Sequence, residues 1–169
     1  MSDVLSALTS PGLTQALYAG NALWFSSAVL HFGFRQAHVM RRISHRETFK
    51  DPAIRASPAG DKWHHDIMAY LGGMNSPLAV LSILRLYALI RPSRYLSSKT
   101  SVGDIPLDIT ALVVLGLANF SQAILNFTLS RKNDRWIMGK GLDRITVLDA
   151  LFTVLDWSFA LARIVVVAK

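Results

Sequence analysis

The chain has 169 residues, no cysteine and a formal charge of +7; half of it (51%) is hydrophobic and only 17% is charged. That charged fraction is well below the roughly 25% of soluble domains, and without cysteine there is no disulfide framework, thiolate metal site or redox thiol. The basic balance does not indicate nucleic acid, because the Lys and Arg residues flank long apolar runs, where membrane topology accounts for them.

Four runs approach the ~20 residues that cross a bilayer core as a helix: 4–34, 67–90, 109–130 and 145–168. The expected architecture is all-α, a single polytopic membrane domain over 1–169. Its four transmembrane helices lie at about 13–34, 67–90, 107–130 and 145–168, with a basic surface loop at 35–66. The first and third runs hold no Asp, Glu, Lys or Arg, unlike the charged outer face of a soluble bundle.

Residues 1–13 carry Asp3 and no Lys or Arg, matching neither a secretory signal nor an Arg-rich presequence. The expected targeting signal is internal: the first span followed by Arg35, Arg41, Arg42 and Arg46. Residues 34–49 read as a basic extension of the first helix. Asp51-Pro52, Ser57-Pro58 and Ala59-Gly60 then read as breaks in a surface linker. The loops 35–66 and 131–144 hold twelve Lys and Arg, against four on the other side. The positive-inside tendency therefore puts these loops in the cytosol or matrix and both termini opposite. Within the loops, Lys62-Trp63, Arg131, Lys132 and Arg135-Trp136 form an expected headgroup belt for anionic phospholipid such as cardiolipin.

Histidines recur at 31, 38 and 45, and His64-His65 adjoin the second span. His31 and His65 would be the ligands of a b-type haem, or the set those of a metal-dependent membrane enzyme. Interfacial histidines with water, lipid or backbone partners are the default expectation, and no cofactor is assigned. No HExxH, GxSxG or GxxxxGK[ST] occurs.

The second span contains Gly72-Gly73 and Pro77, which read as a kink with close backbone approach. Ala69 and Gly73, four apart, suit helix packing. Asp104 and Pro106 read as the cap and first turn of the third span, and Gly139 and Gly141 before Asp143 as the turn into the fourth.

Polar residues recur on single faces of the spans: Asn75, Ser82 and Arg85; Asn119, Gln122 and Asn126; Asp149, Asp156 and Arg163. Burying them in lipid is costly, so these stripes are expected to face protein. From depth along the helices, Arg85 is expected to pair with Asp156, with Arg163 nearby and Asp108 joining from the boundary. The sequence offers no cation at the depth of Asp149, whose partner is expected from a neighbouring subunit. The charges support either structural pairing that fixes helix register or a proton route in a small proton-coupled transporter.

At 63–75 (Trp63 through Asn75) and from Arg135-Trp136-Ile137-Met138-Gly139-Lys140-Gly141-Leu142-Asp143-Arg144 into the fourth span, the chain resembles fungal-type accessory membrane subunits of mitochondrial respiratory complex I. The resemblance implies a supernumerary subunit of the inner mitochondrial membrane. Such a subunit contacts core membrane-arm subunits and lipid, and carries no redox cofactor or catalytic residue.

Overall fold

The structure, a computed structural model, describes residues 2–44, 46, 50–93, 95–97, 101–133 and 144–168; all regular elements among them are helical. They are α1 (Ser2–Leu8), α2 (Pro11–Phe34), α3 (Gln36–His38), α4 (Pro52–Ala56), α5 (Lys62–Ile90), α6 (Ser101–Asn133) and α7 (Arg144–Val167), with one π-helical turn at Val39–Ile43. α5, residues 104–129 of α6, and residues 145–167 of α7 are long and apolar enough to cross a membrane. α2, at 24 residues, extends about 36 Å. It has no formally charged side chain, but with Thr14, Gln15, Asn21, Ser26 and Ser27 in it, it is not among the helices long and apolar enough to cross a membrane.

Local chemistry sets several element boundaries differently from expectation. Pro11 opens α2, so the apolar run from residue 4 is divided at Thr9-Ser10 instead of forming one helix. α2 ends at Phe34, because Arg35 leaves helical geometry (φ −126°, ψ 36°); the expected extension becomes α3 and the π-helical turn. Asp51-Pro52 starts a helix where a break was expected: Asp51 accepts the Ala53 N–H at 2.9 Å and Pro52 takes the first turn. Gly60 turns the chain towards α5 at φ 73°, a conformation open mainly to glycine.

α5 runs unbroken through Pro77, whose missing N–H removes one hydrogen bond, to the Gly73 carbonyl. α6 begins at Ser101, so Pro106 lies inside the helix and Asp108 about two turns in. The expected turn at Gly139, Gly141 and Asp143 lies outside the described residues, as do His45, Arg135 and Trp136.

The chain divides into two compact units, neither continuous in sequence. Unit 1 comprises Met1–Trp24, Pro77–Asn119 and Leu151–Lys169; unit 2 comprises Phe25–Ser76 and Phe120–Ala150. Unit 1 gathers the start of α2, the end of α5, the start of α6 and the end of α7, so consecutive long helices alternate in direction. Its core includes Tyr18, Leu112, Leu115 and Phe159. In unit 2, Val39, Met40 and Met68 form an apolar cluster against Phe32 and Ile43. There Gly72 lies against the backbone of Gly33: an added Cβ would come within 2.7 Å of the Gly33 Cα. The glycine that carries this close approach is Gly72, whereas a Cβ on Gly73 would meet open space.

Candidate functional site: a buried polar network

Unit 1 spends its intramembrane charges on one another. Asp108 Oδ1 accepts hydrogen bonds from Arg85 Nη2 (2.7 Å), Arg85 Nε (3.1 Å) and the Tyr18 hydroxyl (2.9 Å). Its other oxygen lies 3.6 Å from Arg163 Nε. Arg85 also donates to the Leu96 carbonyl at 3.2 Å. Arg163 donates to Thr14 Oγ1 at 2.6 Å and to the carbonyls of Phe159 and Leu8, with its guanidinium 5.9 Å from the Phe159 ring centre. Arg85, Asp108 and Arg163 are each at most 7% exposed. One carboxylate thus serves two arginines and a phenol, linking α2, α5, α6 and α7 through charge-assisted hydrogen bonds and ion-pair contact.

Asp156, fully buried, lies outside that ion cluster. It accepts from Asn21 Nδ2 at 2.8 Å and from Asn119 Nδ2 at 3.2 Å, and Asn119 also donates to Asn21 Oδ1 at 3.2 Å. The expected Arg85–Asp156 pair is therefore replaced by Arg85–Asp108 and an Asp156–Asn21–Asn119 triad. The reason is depth: Arg85 is near the end of α5 and Asp108 near the start of the antiparallel α6, so they meet without the long side chain bending inwards. Arg163 joins the same carboxylate, that of Asp108, as its level on α7 suggested.

The stripes on α5, α6 and α7 face inwards. Asn75, Ser82, Arg85, Asn119, Asn126, Asp149, Asp156 and Arg163 are buried, and Gln122 is half-buried. In unit 2, Gln122 donates to Asn75 Oδ1 at 3.3 Å and Asn126 to Thr146 Oγ1 at 2.6 Å. Asp149 is fully buried and engaged by an interaction within the chain. Sequence reasoning missed the α2 stripe of Thr14, Tyr18 and Asn21, all essentially fully buried. Their spacing of four and three was the available signal.

At the basic end, Lys62, Trp63, Arg131 and Lys132 are exposed, all in unit 2. Arg135 and Trp136, the rest of the expected lipid belt, lie outside the described residues. His31 Nδ1 bonds the Ser27 carbonyl at 2.9 Å and His65 Nε2 the Ala59 carbonyl at 2.7 Å, so backbone fixes both rings. The His64 backbone N–H, then its ring, contact Asp61 Oδ1 at 2.9 and 2.8 Å and hold the Asp61 carboxyl below its ordinary value. Among the described residues, no group of three or more His, Asp or Glu is placed to hold a metal ion.

No protein-family model matches the chain, and no curated protein or solved structure matches it either.

Proposed function

We propose that the chain is a non-catalytic, four-span subunit that stabilises a larger membrane assembly and binds anionic phospholipid at its basic end. The observation carrying this reading is the Arg85–Asp108–Arg163 network. Its charged groups are directed at one another and at backbone carbonyls, an arrangement that fixes helix register. The apolar surface supports the reading too: Leu23, Leu117, Leu125, Val154 and Leu161 are each more than half exposed along the long helices, suiting lipid or partner helices.

α2 is the fourth span in this proposal, with Thr14, Tyr18 and Asn21 turned towards protein. The host is the membrane arm of respiratory complex I in the mitochondrial inner membrane, with both termini in the intermembrane space. The choice of host rests on the resemblance at 63–75 and 135–144 alone, and the orientation on the charge count of the loops.

Two experiments test the proposal. The chain has no cysteine, so single cysteines at Ser6, Ser57 and Ser93 can be probed with a membrane-impermeant thiol reagent. Four spans place Ser6 and Ser93 on one side and Ser57 on the other; labelling of Ser6 together with Ser57 removes α2 as a span. Blue-native electrophoresis of mild detergent extracts then reads assembly. Co-migration with a large complex is expected, and migration only as a free 18.7 kDa species overturns the subunit reading.

A further inference from the structure

Where α2 stops at Arg35, the chain turns back against the first turns of α5 and leaves a cavity of about 320 Å³. Its lining is Phe34, Arg35, Gln36, Ala37, His38 and His65. The volume is at the lower end of ligand clefts, which start at about 300 Å³. Arg35 and His38 are exposed, and among the described residues neither has a carboxylate within ion-pair distance. Gln36 is tied to the Gly33 carbonyl at 2.5 Å and His65 to the Ala59 carbonyl at 2.7 Å, so two of the polar walls are fixed. Phe34, 76% exposed, supplies an apolar edge as the last residue of α2. Trp63, 69% exposed, stands two residues before His65 at the same end of α5.

We infer that this cavity is a binding site for the headgroup phosphate of an anionic phospholipid, with Arg35 as the main cation and His38 and His65 as further polar contacts. The inference rests on the membrane-subunit reading and gives its lipid binding a location. An exposed Trp and Phe at the end of an apolar helix mark the depth of the headgroups. A guanidinium there meets phosphate, to which its planar donors are suited. A metal ion suits the cavity poorly, since its two imidazoles share the space with the positive charge of Arg35. The heptad of His31, His38 and His45 concealed the arrangement: the non-helical residue at Arg35 interrupts the helix, and His38, not His31, shares the cavity with His65.

The test is native mass spectrometry of the full chain purified in detergent and titrated with phosphatidylglycerol, with phosphatidylcholine and inorganic phosphate as comparison probes. Wild type should retain phosphatidylglycerol in preference to phosphatidylcholine. Arg35→Gln should lower retention about fivefold, as expected for one cation at an anionic surface. Ala37→Phe keeps every charge and fills the cavity, so it should also lose lipid. Arg55→Gln removes an equal charge from an exposed position outside the cavity and should not. Equal losses in Arg35→Gln and Arg55→Gln, or full retention in Ala37→Phe, would overturn the site in favour of diffuse surface attraction. Displacement of phosphatidylglycerol by equimolar inorganic phosphate would overturn its assignment to lipid. Helical circular dichroism of each variant confirms folding. Blue-native migration of the same variants separates the two ideas: lipid loss with normal assembly concerns the cavity alone, and failure of wild type to assemble concerns the subunit reading.

Discussion

The two units use cations in opposite ways. Unit 2 spans the sequence ranges holding twelve of the eighteen Lys and Arg residues. Arg35, Arg41, Arg42, Lys50, Arg55, Lys62, Arg131 and Lys132 among them are exposed. Unit 1 holds six, and two of these, Arg85 and Arg163, are buried around Asp108. A buried cation must be compensated by a fixed partner, so it constrains which helices meet and at what register. An exposed cation at the end of a span makes no such demand and is available to the membrane surface. The same residue type thus fixes packing in one unit and offers contacts outward in the other.

The contrast predicts unequal mutational costs. Asp108→Ala leaves two buried arginines without their carboxylate and should destabilise the protein by about 3–5 kcal/mol. Arg55→Ala in unit 2 should stay within about 0.5 kcal/mol, as exposed substitutions do. Denaturant unfolding in detergent micelles, followed by circular dichroism, compares them; similar costs would erase the distinction between the units.

Unit 2 has its own sensitive point, and it is steric. Gly72→Ala pushes a Cβ into the backbone of Gly33 and should cost about 1–3 kcal/mol, the usual range for overpacking. Gly73→Ala meets open space and should be neutral or stabilising by up to about 1 kcal/mol through helix propensity. Melting temperatures of the two variants moving together would show that the α2–α5 contact is not close.

The smallest expected effect is a pH response at the start of α5. Asp61 is held below its ordinary value because its carboxylate accepts the His64 N–H and contacts the His64 ring. A depressed carboxylate contributes stability above its unfolded value, near 4. That contribution is lost as pH falls through the lower folded value. The protection of the His64 amide, relative to its intrinsic exchange rate at each pH, should therefore fall below about pH 4 in wild type and be low already at neutral pH in Asp61→Ala. Identical profiles for the two proteins would remove Asp61 as the cap.

The stripes on α5, α6 and α7 were legible in the sequence because Arg85, Asn119, Asp156 and Arg163 stand out in apolar runs, where only a protein-facing position is tolerable. The α2 stripe was not, since Asn21 is a single Asn flanked by the weakly polar Thr14 and Tyr18, whereas α6 repeats the amide at Asn119, Gln122 and Asn126. Partner choice failed at Asp108. Reading Asp104-Pro106 as the helix start put Asp108 at the boundary, but α6 begins at Ser101 and carries it inside to the level of Arg85. Gly72 and Gly73 were indistinguishable in sequence because only helix rotation decides which one meets Gly33. The cavity beside His65 depends on a single non-helical residue, Arg35, which no local sequence signal announced.

The most direct test of the account is a pair of double-mutant cycles on stability in detergent, one with Arg85→Met and Asp108→Leu, the other with Arg85→Met and Asp156→Leu. The account predicts strong non-additivity for Arg85 with Asp108, the double variant costing less than the sum of the single ones. It predicts near-additive costs for Arg85 with Asp156, which the structure assigns to separate clusters. Additive losses in the first cycle together with strong coupling in the second would contradict it.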